Sequence, residues 1–248
     1  SVADLDALGG AGLGALEGWV PGLQADLASG GLAPAVKLRG FDITRFQFNG
    51  LPDVRRMFMR DLATVERLEV LAGPAALGYG ITSPGGVVNQ VGKVPLRHAQ
   101  QHASLGLGSD GVGRVMLDST GPLGAQDSTS WGPWAYRLIA AAQDGRTAPA
   151  DLPQRRRTVM AALRWAYQPA AWLRAELELV RNHTPFGFGT VISGQAATAL
   201  PRYDQLYVSP GGAPAQRDMR RWALAWQHTL GSATTLEAHY SHAAAQRD

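Results

Sequence analysis

Residues 65–95, VERLEVLAGPAALGYGITSPGGVVNQVGKVP, constrain the fold of this 248-residue chain more than any other stretch. The apolar residues within 65–71 predict a short strand. Gly73-Pro74 ends that strand, because proline cannot donate a backbone hydrogen bond and glycine favours a turn. The sequence SPGG at 83–86 predicts a second tight turn, since glycine accepts positive φ angles that other residues avoid. Residues 87–91 then predict a second strand, so glycine turns separate two strands here.

Shorter signals precede this stretch. The sequence VKLRGF at 36–41 alternates between apolar and other residues and predicts one strand. Asn49-Gly50 is a strong turn signal. Leucines at helical spacing predict a weak helix at 13–19, which ends before Pro21, and a single helical turn is predicted at 75–77. Together these elements indicate a small α+β domain at the start of the chain.

Six sequence blocks occur in a fixed order that resembles the plug domain of TonB-dependent outer-membrane receptors, most closely the siderophore receptors. The blocks are LRGF, FNGLPDV, VERLEV, GPAALGYG, SPGGVVNQV and KVP. An unrelated glycine-rich α/β domain with coincidental turns does not explain this order. The resemblance assigns a structural motif to residues inside the blocks: Arg39, Gly40, Asn49, Gly50, Glu66, Arg67, Glu69, Gly73, Pro74, Tyr79, Gly80, Gly85, Gly86 and Asn89.

The resemblance implies a transporter rather than an enzyme. A ferric siderophore would be the transported ligand, with no intrinsic cofactor, catalytic residue or resident metal. The partners implied are TonB with ExbB and ExbD, together with the lipid of the Gram-negative outer membrane, and no nucleic acid. The segment LGALEGWVPGLQA resembles the part of the plug that precedes the RGF block. We therefore expect the chain to begin inside the plug, without the TonB box that lies upstream in the family.

Two loops are candidates for contact with cargo. In the family, loops after the RGF block and after the NG turn form the plug apex, which faces the external ligand pocket. Arginine offers charge-assisted hydrogen bonds to an anionic chelate, and aromatic rings offer contact area. An open alternative is that Arg55 and Arg56 only solvate a loop. The candidate ligand-binding residues are Thr44, Arg45, Phe46, Arg55, Arg56, Met57 and Phe58.

Charged residues suggest how plug and barrel are held together. Glu66, Arg67 and Glu69 are expected to form a charge network. The resemblance further implies salt bridges between basic plug residues and barrel-wall glutamates, and Arg39 matches one such position. The basic residue usual before the GP pair is replaced by Ala72 here, which puts that half of the contact in doubt.

From residue 101 onward the apolar pattern has a period of two. The clearest segment is 171–179, where one face is apolar and the other carries Arg174, Glu176 and Glu178. A soluble β-sandwich would also alternate, so the pattern alone leaves both folds open. The predicted strands are 102–108, 114–120, 134–143, 157–168, 171–181, 221–230 and 234–241. The expected fold is a plug domain at 1–96 followed by antiparallel transmembrane β-barrel strands at 97–248.

The connections favour an outer-membrane barrel. Those at 121–133, 169–170 and 231–233 fall on one side, and two of the three on the other side are long, as in outer-membrane proteins. Aromatic residues at one end of neighbouring strands predict an interfacial girdle, with core aromatics as the alternative: Trp134, Tyr136, Trp165 and Tyr167. Plugged transporters need about 22 strands, so seven predict an incomplete barrel, from a fragment or a decayed gene.

Several other functions have little support. No cysteine is present, which removes disulfides and thiolate metal sites, and no apolar run reaches the roughly 18 residues of a spanning helix. The net charge of +3 gives weak support for a nucleic-acid partner, and the run at 155–157 is predicted to be a solvated loop end.

Motifs for other chemistries are incomplete. The GxGxxG match at 106–111 lies between two predicted strands, so dinucleotide binding is not indicated. Ser83 lacks a nucleophile motif. His239 and His242 fall on opposite faces of a strand and make a poor metal pair. The alternatives that remain are another cargo, such as cobalamin, haem or a glycan, and a non-transport β-rich binding module of the cell envelope.

Overall fold

A computed structural model of the chain describes residues 20–26, 35–43, 46–53, 60–71, 84–108, 111–124, 134–147, 152–185, 214–231 and 233–247. The first part of it forms seven short strands and one turn of 3-10 helix at Leu62–Thr64. The strands are β1 (Leu23–Asp26), β2 (Ala35–Leu38), β3 (Phe41–Ile43), β4 (Phe46–Phe48), β5 (Leu51–Asp53), β6 (Val65–Leu71) and β7 (Val87–Gly92).

The second part of the chain forms seven long strands in one antiparallel sheet, which we call the wall. Its order follows the sequence from β8 to β14, so each strand pairs with the next. The strands are β8 (Gln100–Leu107), β9 (Gly113–Leu123), β10 (Trp134–Thr147), β11 (Leu152–Gln168), β12 (Ala171–Pro185), β13 (Pro214–Leu230) and β14 (Thr234–Arg247). The seven predicted strands are all confirmed, and the antiparallel arrangement of an unclosed barrel is the observed fold.

The short strands form two sheets that share a core. One sheet has the order β1-β2-β3, and the other has the order β5-β4-β7-β6 with β4 and β7 parallel. The core between them is entirely apolar and consists of Leu23, Val36, Leu38, Ile43, Phe46 and Val88. Burial of these side chains is the main force that joins the two sheets.

The strands predicted at 65–71 and 87–91 are confirmed as β6 and β7. The single strand predicted at 36–41 is wrong, because Arg39 and Gly40 have φ angles of 54° and 83° and form a two-residue turn between β2 and β3. A two-residue turn with positive φ at both positions matches the twist of an antiparallel hairpin. The helical segments predicted at 13–19 and 75–77 lie outside the described residues.

The wall strands extend beyond the predicted ones where their inward face becomes polar. The run at 155–157 lies within β11 and is not a loop end. Because side chains alternate along a strand, Arg155 and Arg157 are exposed while Arg156 is only 5% exposed. The prediction of a solvated run is therefore wrong for Arg156. The charge of Arg156 interrupts the apolar alternation that predicts β11. The strand therefore begins earlier in the structure than in the prediction.

The two faces of the wall differ in chemistry. The face toward the short strands buries apolar and charged side chains alike. The opposite face exposes large apolar side chains, among them Leu117, Leu138, Leu163, Leu177 and Leu224. A broad exposed apolar face of this kind is a surface for lipid or protein contact.

At one end of the wall, Trp134 and Trp165 lie opposite each other with ring centroids 5.6 Å apart, and Tyr167 is 5.4 Å from Trp165. These three aromatic rings are neighbours, and the interfacial girdle stays a prediction.

Gly92 at the end of β7 is expected to tolerate no side chain. A Cβ atom there would lie 2.6 Å from Cζ of Phe48, a ring held in the sheet interior. Gly92→Ala should lower the free energy of unfolding by about 1–3 kcal/mol through overpacking, measured by urea titration. Gly113→Ala is the matched control, because no atom lies within 4 Å of a Cβ built there. Equal losses in the two variants would contradict the prediction.

Candidate functional site

A buried turn brings charged side chains of the short strands to the wall. Arg60, Asp61 and the 3-10 helix after them are buried. Asp61 caps this helix, because its Oδ1 accepts a hydrogen bond of 2.9 Å from the backbone N–H of Ala63. The hydroxyl of Thr64 donates to the carbonyl of Asp61 at 2.9 Å. The cap fixes the direction of both charged side chains before the chain enters β6.

Arg60 binds a glutamate of the wall. Its Nη1 donates to Oε2 of Glu178, which is completely buried, and its Nη2 lies 3.4 Å from Oδ2 of Asp53. Oγ1 of Thr64 lies 3.3 Å from the other oxygen of Glu178, so its single proton is shared between this carboxylate and the Asp61 carbonyl. Burial lowers the pKa of Arg60 to about 10, so the guanidinium remains charged at neutral pH. This pair connects the short strands to β12.

A second arginine completes the group around Glu178. Arg221 of β13 donates to Oε1 of Glu176, and its Nη1 is 3.9 Å from Glu178. Both guanidinium groups lie over the ring of Phe48, with Arg60 3.7 Å and Arg221 4.3 Å from its centroid. Two buried arginines that bind Glu176 and Glu178 thus contact one aromatic ring of β4, in a cation–π arrangement.

Asp61 binds the wall at a different place. Arg114 of β9 donates to both oxygens of this carboxylate, from Nη2 to Oδ1 at 2.6 Å and from Nη1 to Oδ2 at 3.2 Å. The hydroxyl of Thr158 donates to Oδ2 at 3.3 Å. Two parallel hydrogen bonds between guanidinium and carboxylate are a strong, directional contact. The pair therefore fixes the orientation of the turn relative to β9 and β11.

A third group of charges lies where the chain passes from β7 to the wall. Lys93 donates to Oδ2 of Asp118 at 2.9 Å, and Arg137 binds the same carboxylate through Nε at 2.9 Å and Nη2 at 2.7 Å. Arg137 also donates to the carbonyl of Val94 at 3.0 Å, and the N–H of Leu96 donates to Thr120 at 2.9 Å. These bonds attach the connecting segment to the inner face of β9 and β10.

The three groups share one arrangement, in which a buried charge from the short strands meets the opposite charge on the wall. Buried ion pairs add little net stability, because desolvation offsets most of their attraction. Removing one partner is nevertheless costly, since it leaves the other charge buried and unpaired. The three groups of ion pairs thus select one position of the short strands relative to the wall. Among the residues described, no group of three or more potential ligands could hold a metal ion, and no helix is long and apolar enough to span a membrane.

Comparison with known proteins agrees with this geometry. Residues 2–87 match the family model described as the TonB-dependent Receptor Plug Domain. These residues are a TonB-dependent receptor plug domain. We refer below to the described residues up to 96 as the plug, and to the contacts just described as the plug–wall interface.

The similar proteins are receptors rather than enzymes. The metal-pseudopaline receptor CntO of Pseudomonas aeruginosa strain UCBPP-PA14 is 33% identical over 186 residues, 73% of this chain and 25% of the relative. The ferripyoverdine receptor of Pseudomonas aeruginosa is 36% identical over 113 residues, 43% of this chain and 13% of the relative. The chain therefore spans about a quarter of the length of the first relative.

Solved structures support the fold. The ferripyoverdine receptor of the Pseudomonas aeruginosa outer membrane, bound to ferripyoverdine, superposes with a TM-score of 0.78 at 21% identity, over 97% of this chain and 32% of that one. The alcaligin outer-membrane receptor FauA of Bordetella pertussis gives a TM-score of 0.72 at 25% identity, over 98% of this chain and 37% of that one. The combination of plug and long antiparallel strands is thus a known arrangement.

Some predicted motif residues have clear structural roles in the plug. The expected charge network is confirmed in part, because Arg67 binds Glu69 at 2.8 Å and Asn89 donates to Glu69 at 2.7 Å. Asn49 accepts a hydrogen bond of 2.9 Å from the N–H of Gly92, and Asn89 accepts one of 3.0 Å from Gly50. These side chains hold β4, β6 and β7 together.

Among the described residues Arg39 forms no salt bridge with a wall glutamate, so the contact that the family resemblance implies for it stays a prediction. It occupies the β2–β3 turn with its side chain exposed. Arg60 is a basic plug residue that does form such a salt bridge, with Glu178. Gly85 lies close to β3, because a Cβ there would be 2.9 Å from the carbonyl oxygen of Phe41. The motif residues outside the described part are Gly73, Pro74, Tyr79 and Gly80.

The cargo residues remain predictions. Phe46 is 7% exposed and packs in the core between the two plug sheets. The other candidates lie outside the described residues: Thr44, Arg45, Arg55, Arg56, Met57 and Phe58.

Sequence reasoning missed the residues of the plug–wall interface. A usable signal was present in β12, where Glu176 and Glu178 occupy the face opposite the apolar residues at 173, 175, 177 and 179. Two acids on a face that must become buried require cationic partners. Nothing in the sequence, however, indicates that one partner is Arg60 rather than another arginine.

Plug docking is expected to weaken in acid through Asp61. Burial alone would raise the pKa of Asp61, but the hydrogen bonds and charge of Arg114, the N–H of Ala63 and the charge of Arg156 lower it below its usual value. A lowered pKa gives stability that is complete above the unfolded-state pKa, near 4, and is lost as the pH falls through the folded-state pKa. We expect the free energy of plug opening, from hydrogen exchange corrected for intrinsic rates, to fall below about pH 4.

The Asp61→Asn variant is the control for this pH dependence. It removes the titrating group, so the difference between the wild-type and variant curves isolates Asp61 from other acids. A constant difference across this pH range would contradict the prediction.

Proposed function

We propose that this chain is the plug, at residues 1–96, and the first wall strands, at 97–248, of a TonB-dependent outer-membrane transporter for a ferric siderophore. The observation that carries the proposal is the plug–wall interface, in which Arg60, Asp61 and Lys93 each form a buried ion pair with the wall. A plug that closes the barrel at rest and is displaced during transport needs contacts that are specific and can be broken and formed again.

Ion pairs suit that requirement better than an apolar interface would. Their partners can be rehydrated when the plug moves, and the favourable solvation of separated charges offsets the loss of the pairs. An apolar interface has no such compensation, because exposure of its surface to water costs free energy in proportion to its area. The plug would therefore block the passage at rest and be moved by TonB, which takes its energy from ExbB and ExbD.

The proposed cargo is a ferric siderophore, bound as transported ligand and not as a resident cofactor. Support comes from the similar proteins, which are receptors for ferripyoverdine and for metal-pseudopaline. The loops at 44–46 and 55–58 are the proposed contacts with it. The location would be the outer membrane of a Gram-negative bacterium, which is consistent with the apolar outward face of the wall.

Uptake of iron tests this function. In a strain lacking its other siderophore receptors, the intact receptor should import radioactive iron carried by one siderophore of a panel, and import should stop without TonB. Replacing Arg45, Arg55, Arg56 and Phe58 together by alanine should abolish that uptake. Unchanged uptake by this variant would remove the cargo assignment, and growth only on haem or cobalamin would change the cargo class. Recovery of the wild-type protein in the soluble fraction without detergent would instead favour a non-transport binding module.

A further inference from the structure

One row of the wall contains a buried arginine, Arg156, with which no acid among the described residues forms an ion pair. The five residues of this row are direct cross-strand neighbours on the face toward the plug, one each from β9 to β13. We call them the arginine row: Arg114, Gln143, Arg156, Asn182 and Arg217. The next row on the same face is apolar apart from one hydroxyl and consists of Met116, Ala141, Thr158, Val180 and Met219. The arginine row is therefore separated from the other charged groups of the wall.

Within the described part of the chain, the direct ion pair of this row is made by Arg114 and not by Arg156. Asp61 is the acid that binds it, and both of its oxygens are taken by Arg114. Arg156 lies beyond Gln143 in the row and is buried, yet in the described part of the chain its Nε has no hydrogen-bond partner. A buried N–H of a charged group loses its hydrogen bonds to water. When no protein acceptor replaces them, that loss costs free energy. Asn182 and Arg217 have contacts of their own.

Two other charged groups on this face of the wall, around Asp118 and around Glu176 and Glu178, show the opposite pattern. Asp118 has two cations within hydrogen-bond distance, and Glu176 and Glu178 have two arginines between them. In each of these groups the acids belong to the wall and the plug adds a base. Only at the arginine row, among the described residues, does the wall supply the cations and the plug the acid.

We propose, on the basis of the transport function above, that the arginine row is an internal binding site for carboxylate-type anions. Asp61 occupies part of it while the plug is docked. Anionic oxygen groups of the cargo occupy it once the plug turn has moved away. Guanidinium groups bind carboxylates through two parallel hydrogen bonds, which is the geometry that Arg114 already shows with Asp61.

The first test uses acetate as the probe and does not depend on transport. In the intact receptor in detergent, Asp61→Gly removes the internal carboxylate and leaves space for acetate. Protection of amides 62–65 against hydrogen exchange should fall. Sodium acetate should restore it about tenfold more than sodium chloride of the same ionic strength, as expected for a charge-assisted hydrogen bond. If Asp61→Gly is not recovered from membranes, Asp61→Ser, which keeps a capping hydroxyl, replaces it.

The double variant Asp61→Gly/Arg156→Gln decides whether the site is the row or a single pair. The acetate effect should disappear in it. The proposal is overturned if acetate acts no better than chloride, or if the acetate effect is the same with and without Arg156.

The second test separates cargo from free anions. Arg156→Gln should lower uptake of a carboxylate-bearing ferric siderophore about tenfold, whereas Arg156→Lys, which keeps the charge, should lower it less. Equal uptake by wild type and Arg156→Gln would overturn the role in cargo passage. Absence of uptake by the wild-type receptor would instead refute the transport function, and the acetate experiment would then decide the anion site alone.

Discussion

Arg60→Met should weaken docking of the plug by about 3–5 kcal/mol, because it leaves the carboxylate of Glu178 buried without its closest cation. Methionine retains much of the side-chain volume, so the loss reports the charge more than a cavity. The remaining partners of Glu178 are the hydroxyl of Thr64 at 3.3 Å and Arg221 at 3.9 Å. The measurement is the free energy of opening of amides 62–71, from hydrogen exchange of the intact receptor.

Arg67→Met is the matched control for this variant. Arg67 also binds an acid, Glu69, but its side chain is 57% exposed, and exposed pairs are worth only about 0–1 kcal/mol. The double variant Arg60→Met/Glu178→Gln should lose less than the sum of its single variants, because no unpaired charge remains. Similar losses for Arg60→Met and Arg67→Met would show that burial does not control this contact.

Asp118→Asn is expected to have an equal or larger effect. Asp118 is the acid bound by both Lys93 and Arg137, so its neutralisation leaves two buried cations side by side. The loss should be at least about 3–5 kcal/mol, with added repulsion between the cations. Arg137 retains its bond to the carbonyl of Val94, which limits the damage. Loss of exchange protection should be centred on residues 93–96 and the neighbouring part of β9.

Two further variants test this explanation. Asp218→Asn is the control, since Asp218 binds Arg181, whose side chain is 62% exposed, and this loss should stay within about 1 kcal/mol. Lys93→Met in the Asp118→Asn background removes one of the two unpaired cations and should recover part of the lost protection. If it deepens the loss instead, Lys93 stabilises the segment by packing and not by its charge.

The two predictions share a cause that local sequence could not supply. Arg60 and Glu178 are 118 positions apart, and Asp61 and Arg114 are 53 apart. Each pair depends on the register of the wall strands and on the depth at which the plug sits. A shift of one residue in β12 would turn Glu178 to the outward face, since side chains alternate along a strand. Register is set by many cross-strand contacts together, so the identity of the partners cannot be taken from any one segment.

The sequence by itself determined the strands on either side of the glycine turns, the seven wall strands and the plug family. These depend on local periodicity and on backbone angles that few residues other than glycine adopt. Only the tertiary structure decided that Arg60 meets Glu178 of the wall, and that Arg156 is buried. Such contacts arise when a buried charge must find its opposite on a separate part of the chain, and electrostatic pairing across that distance leaves no periodic trace in the sequence.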